Sequence, residues 1–533
     1  MSITTAQDDA TSARVSRPGI SLTLICTAMF MLMLDLTIVA VALPDIQRDL
    51  GSNLSDLQWV VDAYTLPLAA LLLTAATMGD RIGRRTMFSS GMAVFTLGSL
   101  MCALSVDPMM LNLMRGLQGI GAAMLFATTM PILGHAYPDL ASRAKAVGIF
   151  GAVLASATAV GPLLGGAIVD HLGWKWIFAI NVPIGIAAFV AARRYLPQSK
   201  AAVPRAADWI GTALLTVALA ALVFGLIRGQ SAGWSSAQIL GAFAVSVLAL
   251  IGFVIRAAVV DEPMVDLELF RRPGFVGIGL SGFVIAGTIV AATNYVGLYF
   301  VNSLGFSPFG AGLRFLPLSL AAFVAAPVTA QLGRQVPPVV TLPASLVTVA
   351  VGLLWASRID AHSGWLALAP GLALAGVGLG ASSAVMSAAA LASVEPDRAG
   401  MATGVVNTLR QVGTAAGVAA LGAVFTSNVR SRVTADLGVA QLPRQTVATI
   451  SGAVESGAGK LVAAHAPAAD RSMLANVAVD ATAHGIHSIL LIGGVVSTGS
   501  IVVVAGLLLL ARRRGEGAAE KTHADQRVVA EIG

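Results

Sequence analysis

ISLTLICTAMFMLMLDLTIVAVALP, residues 20–44, runs for twenty-five residues with a single charge, Asp35. At ~1.5 Å per residue a helix of that length crosses the ~30 Å hydrocarbon core of a bilayer. The stretch therefore reads as a transmembrane helix carrying an acid at depth. Ala40, Val41 and Ala42 have the small residues of a signal-peptide cleavage site. The length, the buried acid and the spans that follow favour an uncleaved anchor.

Similar stretches recur as far as Ala511. With a cytoplasmic amino terminus they fall at 20–44, 57–78, 86–105, 109–133, 145–169, 174–192 and 208–228. The series continues at 234–256, 274–302, 308–332, 337–357, 364–390, 399–426 and 485–511. Residues are 56% hydrophobic and 11% charged, whereas soluble domains are about 25% charged. This predicts an all-α integral membrane protein of about fourteen helices. A β-barrel would show segments of about ten residues with period-2 alternation, and these are absent.

The net charge of +6 is distributed as topology. The inner side collects Arg14, Arg17, Arg81, Arg84, Arg85, Arg143, Lys145, Arg193, Arg194, Arg256, Arg271, Arg272, Arg398 and Arg512 to Arg514. The outer side holds Arg48, Lys175, Arg228 and Arg358. This positive-inside bias places both termini in the cytoplasm and removes any need for a nucleic-acid partner. Cys26 and Cys102 lie in separate spans and read as core residues.

The expected organisation is a cytoplasmic tail (1–19), a six-helix bundle (20–192), a linker with two extra spans (193–273) and a second six-helix bundle (274–511). The second bundle carries a long outer loop (427–484), and a disordered cytoplasmic tail (512–533) closes the chain. Residues 257–273 read as a short amphipathic helix on the inner surface. A weak repeat supports two related halves. Pro138, Asp139 and Arg143 open the fifth span, and Pro396, Asp397 and Arg398 open its counterpart. Related halves around a midplane cavity are common among secondary transporters.

Of 27 acidic residues only Asp35 and Asp62 lie well inside a span. Charge at that depth is costly and marks proton, ion or substrate paths. A carboxylate kept from water can exchange a proton near neutral pH as access alternates. Asp35 is nearer the midplane and is the expected proton site. Asp62 is shallower, suited to an outer gate or to cation recognition. Arg115 lies at a depth that suits either acid, for coupling or for plain structural pairing. The plain alternative for both acids is an ion pair that locks helices.

Gly79, Asp80, Arg81, Ile82, Gly83, Arg84 and Arg85 make a tight, charged inner reversal between spans two and three. Its glycines permit the turn, and Asp80 is placed to accept from backbone N–H groups at a helix start. A basic stop-transfer loop is the plainer reading. The spacing resembles the Gly-x-x-x-Asp-Arg-x-Gly-Arg-Arg/Lys loop of the major facilitator superfamily, with Ala76 at its first glycine. In span five, Gly148, Gly161, Pro162, Gly165 and Gly166 make a kinked helix of small residues. They resemble the antiporter signature of that superfamily's drug-exporting branches, with Ala157 replacing one glycine. No second-half equivalent occurs.

The surroundings of Asp35 and Asp62, residues 176–185, Asp266 to Phe270 and Asn407 to Gly413 resemble the fourteen-span drug:proton antiporters. The resemblance implies proton-coupled efflux of amphipathic drugs or antibiotics across the cell membrane by a monomer. Its expected partners are protons, the bilayer and a small amphipathic substrate. It also implies a coupling role for Arg115. Arg410 stands where some multidrug relatives carry carboxylates. Tyr64, Asn294, Tyr295 and Arg410 are candidate cavity residues. No Walker loop, metal cluster or nucleophilic triad occurs, so neither an enzyme nor a cofactor is expected. Other readings are export of a metabolite or envelope lipid, an uptake permease or a membrane sensor.

Overall fold

The structure is a computed structural model that describes residues 18–52, 54–199, 208–260, 263, 265–332, 336–392, 399–439, 444–455 and 471–532. Among them the chain is helical, without strands. In lipid only internal bonds can satisfy the backbone, and an apolar helix does so within one segment.

The first half contains α1 (Pro18–Leu50), α2 (Leu54–Ile82), α3 (Arg84–Ala103), α4 (Pro108–Ala136), α5 (Leu140–Leu172), α6 (Trp176–Ala179) and α7 (Asn181–Tyr195). Two helices follow, α8 (Trp209–Ala232) and α9 (Ala237–Val259). The second half contains α10 (Pro273–Leu298), α11 (Pro308–Arg314), α12 (Leu316–Leu332), α13 (Pro338–Ala356), α14 (Trp365–Ala392), α15 (Ala399–Val439), α16 (Arg444–Glu455) and α17 (Arg471–Ile532).

Twelve helices among the described residues are long and apolar enough to cross a membrane. The expected span 145–169 lies inside α5, and 308–332 is divided between α11 and the shorter apolar α12. That break falls at Phe315, two residues before Pro317, which has no N–H for the Leu313 carbonyl. The span expected at 174–192 is likewise divided, at Ile180. Pro183 has no N–H for the Ala179 carbonyl, so the helix is interrupted next to Asn181.

Other acids serve as caps. Asp107, Asp139 and Asp208 accept from Met110 N (2.8 Å), Ser142 N (2.9 Å) and Gly211 N (2.9 Å) at helix starts. Asp80 does not play this part. It sits in the last turn of α2, and Gly83 takes the cap position of α3 without a side-chain bond.

The buried apolar residues fall into separate cores. Two are built from residues between Leu24 and Leu196, and one mainly from residues between Val265 and Leu508. The two halves meet where α5 packs on α11 and α12, and where α2 packs on α15. Helix α8 lies against both α2 and α15, and α9 packs on α8. The extra pair thus flanks the seam.

Two expectations are corrected, and the 427–484 connection is given its form. Within 257–273 the structure has the end of α9 and a 3-10 turn, Leu267–Arg271, rather than an amphipathic α-helix; residues 261, 262 and 264 lie outside the described residues. The connection at 427–484, whose Ala-rich composition permits some helix, holds the end of α15 to Val439, all of α16 and the start of α17 from Arg471; residues 440–443 and 456–470 lie outside the described residues. Arg432 ties the two long helices by bonding Asp480 at 2.7 Å. The carboxy-terminal residues, expected to be disordered, continue α17 to Ile532. Ala, Glu, Lys and Arg in that stretch are good helix formers.

Candidate functional site

Asp35 and Arg115 meet inside the first half. Arg115 Nη1 donates to Asp35 Oδ2 at 2.5 Å, and the two side chains are 1% and 0% exposed respectively. The other carboxylate oxygen accepts from Gln118 Nε2 (2.8 Å) and Asn181 Nδ2 (3.2 Å). Arg115 Nε donates to the Val60 carbonyl at 2.8 Å, and Nη1 also donates to Gln118 Oε1 at 2.7 Å. Gln118 Nε2 reaches Ser99 Oγ at 2.8 Å. The guanidinium lies 4.3 Å from the Tyr64 ring centroid and 5.6 Å from that of Phe178.

Each side chain is delivered by a local feature. Arg115 and Gln118 are three apart on α4 and so share a face. The break before α7 brings Asn181 to Asp35, and α2 supplies a carbonyl and an aromatic ring. A buried ion pair offsets its desolvation only when the remaining polar atoms are also bonded, and removing one partner costs about 3–5 kcal/mol. Here the pair is held by neutral amides on both sides. With both side chains sealed from solvent, the acid is closed to water in this conformation.

Asp62 is not part of this cluster. It is half-buried on α2, and the cation acting on it is Arg228 of α8. Arg228 lies 5.4 Å from the Trp59 ring, which in turn lies 6.1 Å from Phe224. Arg115, placed by the sequence within reach of either acid, pairs with Asp35. Tyr64, expected to line a cavity, is fully buried, with its hydroxyl donating to Leu32 O at 3.3 Å. Tyr295 is half-buried against Phe425, 4.7 Å between centroids, and Asn294 is exposed. Arg410 is half-buried, 5.7 Å from the Phe126 ring across the seam.

The glycines of α5 serve two contacts. A Cβ on Gly161 would lie 1.8 Å from Thr37 Oγ1, and one on Gly165 would lie 2.8 Å from Ile38 Cγ1. These residues seat α5 on α1, two or three positions beyond Asp35. Gly148, nearer the other end, is where a Cβ would approach Pro327 and Ala330 of α12 at 3.0 and 3.2 Å. Gly166 is buried. Pro162 lies within the helical run of α5.

In the short reversal, Arg84 binds Asp80 Oδ1 through Nε (2.9 Å) and Nη2 (2.8 Å). The segment after α7 straps it. Arg84 N donates to Ser199 O (2.9 Å), Arg85 Nη1 to Leu196 O (3.4 Å) and Gln198 Nε2 to Thr86 Oγ1 (2.8 Å). Gly83 has φ +105°, and a Cβ there would lie 2.2 Å from Gln198 Nε2. Gly79 is also tight, with Thr128 Cγ2 3.0 Å from an added Cβ. Arg81 ends α2. Gly83→Ala is expected to destabilise the protein by about 1–2 kcal/mol through the left-handed backbone and displacement of Gln198. Thermal melting of the purified protein checks this, and an unchanged midpoint would count against a strained reversal.

Gln118, Asn181, Ser99 and Arg228 were not singled out as site residues from the sequence. Gln118, Asn181 and Ser99 are neutral and carry a weaker signal than a buried charge, and Arg228 read as a charge at the end of a span.

Two helical halves, the first holding a sealed acid–base cluster, with a helix pair flanking their seam, have the architecture of a multi-pass membrane transporter. The chain belongs to the Major Facilitator Superfamily, whose pattern it matches over residues 25–418. It is 35% identical over 423 residues to a methylenomycin A resistance protein of Streptomyces coelicolor, covering 79% of this chain and 89% of the relative. It is also 35% identical to a tetracenomycin C resistance and export protein of Streptomyces glaucescens, covering 83% of each. The crystal structure of the human organic anion transporter MFSD10 shares the fold, with a TM-score of 0.59 at 13% identity, covering 92% of this chain and 99% of that one.

Proposed function

We propose that this protein exports amphipathic drugs or antibiotics across the cell membrane in exchange for inward-moving protons. The observation that carries this reading is Asp35, fully buried and bound to Arg115, Gln118 and Asn181. A proton reaching Asp35 neutralises it and competes with Arg115, so protonation loosens the tie between α1 and α4. Since Gly161 and Gly165 seat α5 on the next turn of α1, a change at Asp35 is passed directly to the helix that meets the second half. The names of the relatives, resistance and export proteins for antibiotics, support the direction of transport.

The proposed organisation is two rocking bundles, 20–192 and 274–511, fourteen spans in all, both termini in the cytoplasm, working as a monomer. Two contacts between the bundles, Gly148 with Pro327 and Gly404 with Leu73, lie at the ends read as cytoplasmic. They fit a conformation closed on that side. The reversal at Gly79 to Arg85 is proposed as a latch on the inner face. Asp62, paired electrostatically with Arg228, is proposed as an outer element that senses the α2–α8 contact.

Everted vesicles with an acidic lumen test the reading. The wild-type protein is expected to accumulate drug, release protons from the lumen when drug is added, and lose both activities with a protonophore. Drug accumulation without proton release would overturn the exchange.

A further inference from the structure

Helix α15 presents a polar patch made of one guanidinium and two amide side chains. At ~100° per residue, Leu409, Gly413 and Gly417 lie on one side of it, where Leu409 meets Gly279 and the two glycines meet Phe283 and Gly287 of α10. Gly404 lies on the opposite side against Leu73 and Ala76 of α2. Between them, within four residues, stand Asn407, Arg410 and Gln411. All three are half-buried, and among the described residues none of their side chains forms a hydrogen bond or ion pair. The Arg410 guanidinium instead sits 5.7 Å from the Phe126 ring of α4, in the other half. Met386 Cε lies beside Gly282, whose added Cβ would also touch Arg410 Cβ at 3.9 Å.

A guanidinium inside a membrane span is costly unless it meets a counter-charge or a polar cavity. The other deep arginine, Arg115, has its carboxylate and amide partners in place. Arg410 has Asn407 three residues before it, Gln411 next to it in the chain and an aromatic face across the seam, but, among the described residues, no paired acid. Two neutral amides flanking a planar, bidentate cation are the donor set for a carboxylate or sulfonate.

We propose that Arg410, with Asn407 and Gln411, binds an anionic group on the transported compound, while Phe126 and Met386 hold its apolar body. This assigns amphipathic organic anions as the preferred cargo, and it rests on the reading of the seam as the export path. An inside-negative potential itself drives such a cargo outward. The site is shared by both halves, so it is remade or broken as they rock.

Equilibrium binding separates this site from coupling. Fluorescence anisotropy of fluorescein (anionic) and ethidium (cationic) is followed with the purified full-length protein in detergent, where no gradient exists. Wild type is expected to bind fluorescein more tightly than ethidium. Arg410→Gln should weaken fluorescein about tenfold or more without weakening ethidium, and Arg410→Lys should keep most of the affinity. Equal fluorescein affinity in wild type and Arg410→Gln, a preference for ethidium, or no binding to wild type would each overturn the proposal. Intact charge-selective binding without gradient-driven movement in vesicles would sink the exporter reading and leave the anion site standing.

Discussion

Asp35→Asn is expected to abolish gradient-driven export while leaving a folded protein in the membrane. One coupled proton is worth ~2.3 kcal/mol per 100 mV, or about 50-fold in the steady-state substrate ratio. Loss of that proton should remove at least this factor. Asparagine keeps the shape of the side chain and can still meet Gln118 and Asn181, which now bond Asp35 Oδ1. It leaves Arg115 buried without its counter-charge, however, at a cost of about 3–5 kcal/mol. A second variant controls for this. Asp35→Asn combined with Arg115→Gln removes both charges and should recover much of the melting temperature, yet remain inactive in acid-lumen vesicles. If either variant drives drug accumulation with wild-type gradient dependence, Asp35 is not the coupling site.

The fold was legible because membrane insertion imposes a coarse and repetitive grammar. Length and apolar runs sufficed to find the helices, since nearly every apolar run had only one structural use. The misreadings lie where that constraint stops acting. In the carboxy-terminal tail, water can satisfy the backbone in any conformation, so local helix propensity decided what hydropathy left open. At the site, Asp35 and Arg115 stood out as charges inside apolar spans and Arg115 as a partner for either acid. Which acid it pairs with was not legible, because the azimuth of one helix relative to another depends on the contacts between them. Tyr64 illustrates the limit: it is one turn from Val60 and on the same face, behind the ion pair rather than in a cavity. Asn181 lies within the stretch 176–185, but nothing along the chain tells that its amide reaches Asp35 on another helix.

Gly161→Val is expected to cut export at least tenfold with a modest loss of stability. A Cβ at this position would stand 1.8 Å from Thr37 Oγ1 and 2.8 Å from Thr37 Cβ, closer than any real contact. Thr37 Oγ1 is itself engaged, donating to Leu34 O (3.0 Å) or Met33 O (3.2 Å), so turning it away breaks a local bond. Overfilling a close helix contact costs about 1–3 kcal/mol. The larger consequence is functional: α5 is held off α1 one half-turn beyond Asp35, and the link from protonation to the second half is slackened. Gly161→Ala should show the same effect more weakly, and adding Thr37→Ala should restore part of it by removing the hydroxyl. Gly134→Ala on α4, where an added Cβ meets nothing within 4 Å, serves as the neutral control. Vesicle transport and thermal melting read the four variants together. Wild-type transport by Gly161→Val would mean that the close seat of α5 on α1 plays no part in coupling.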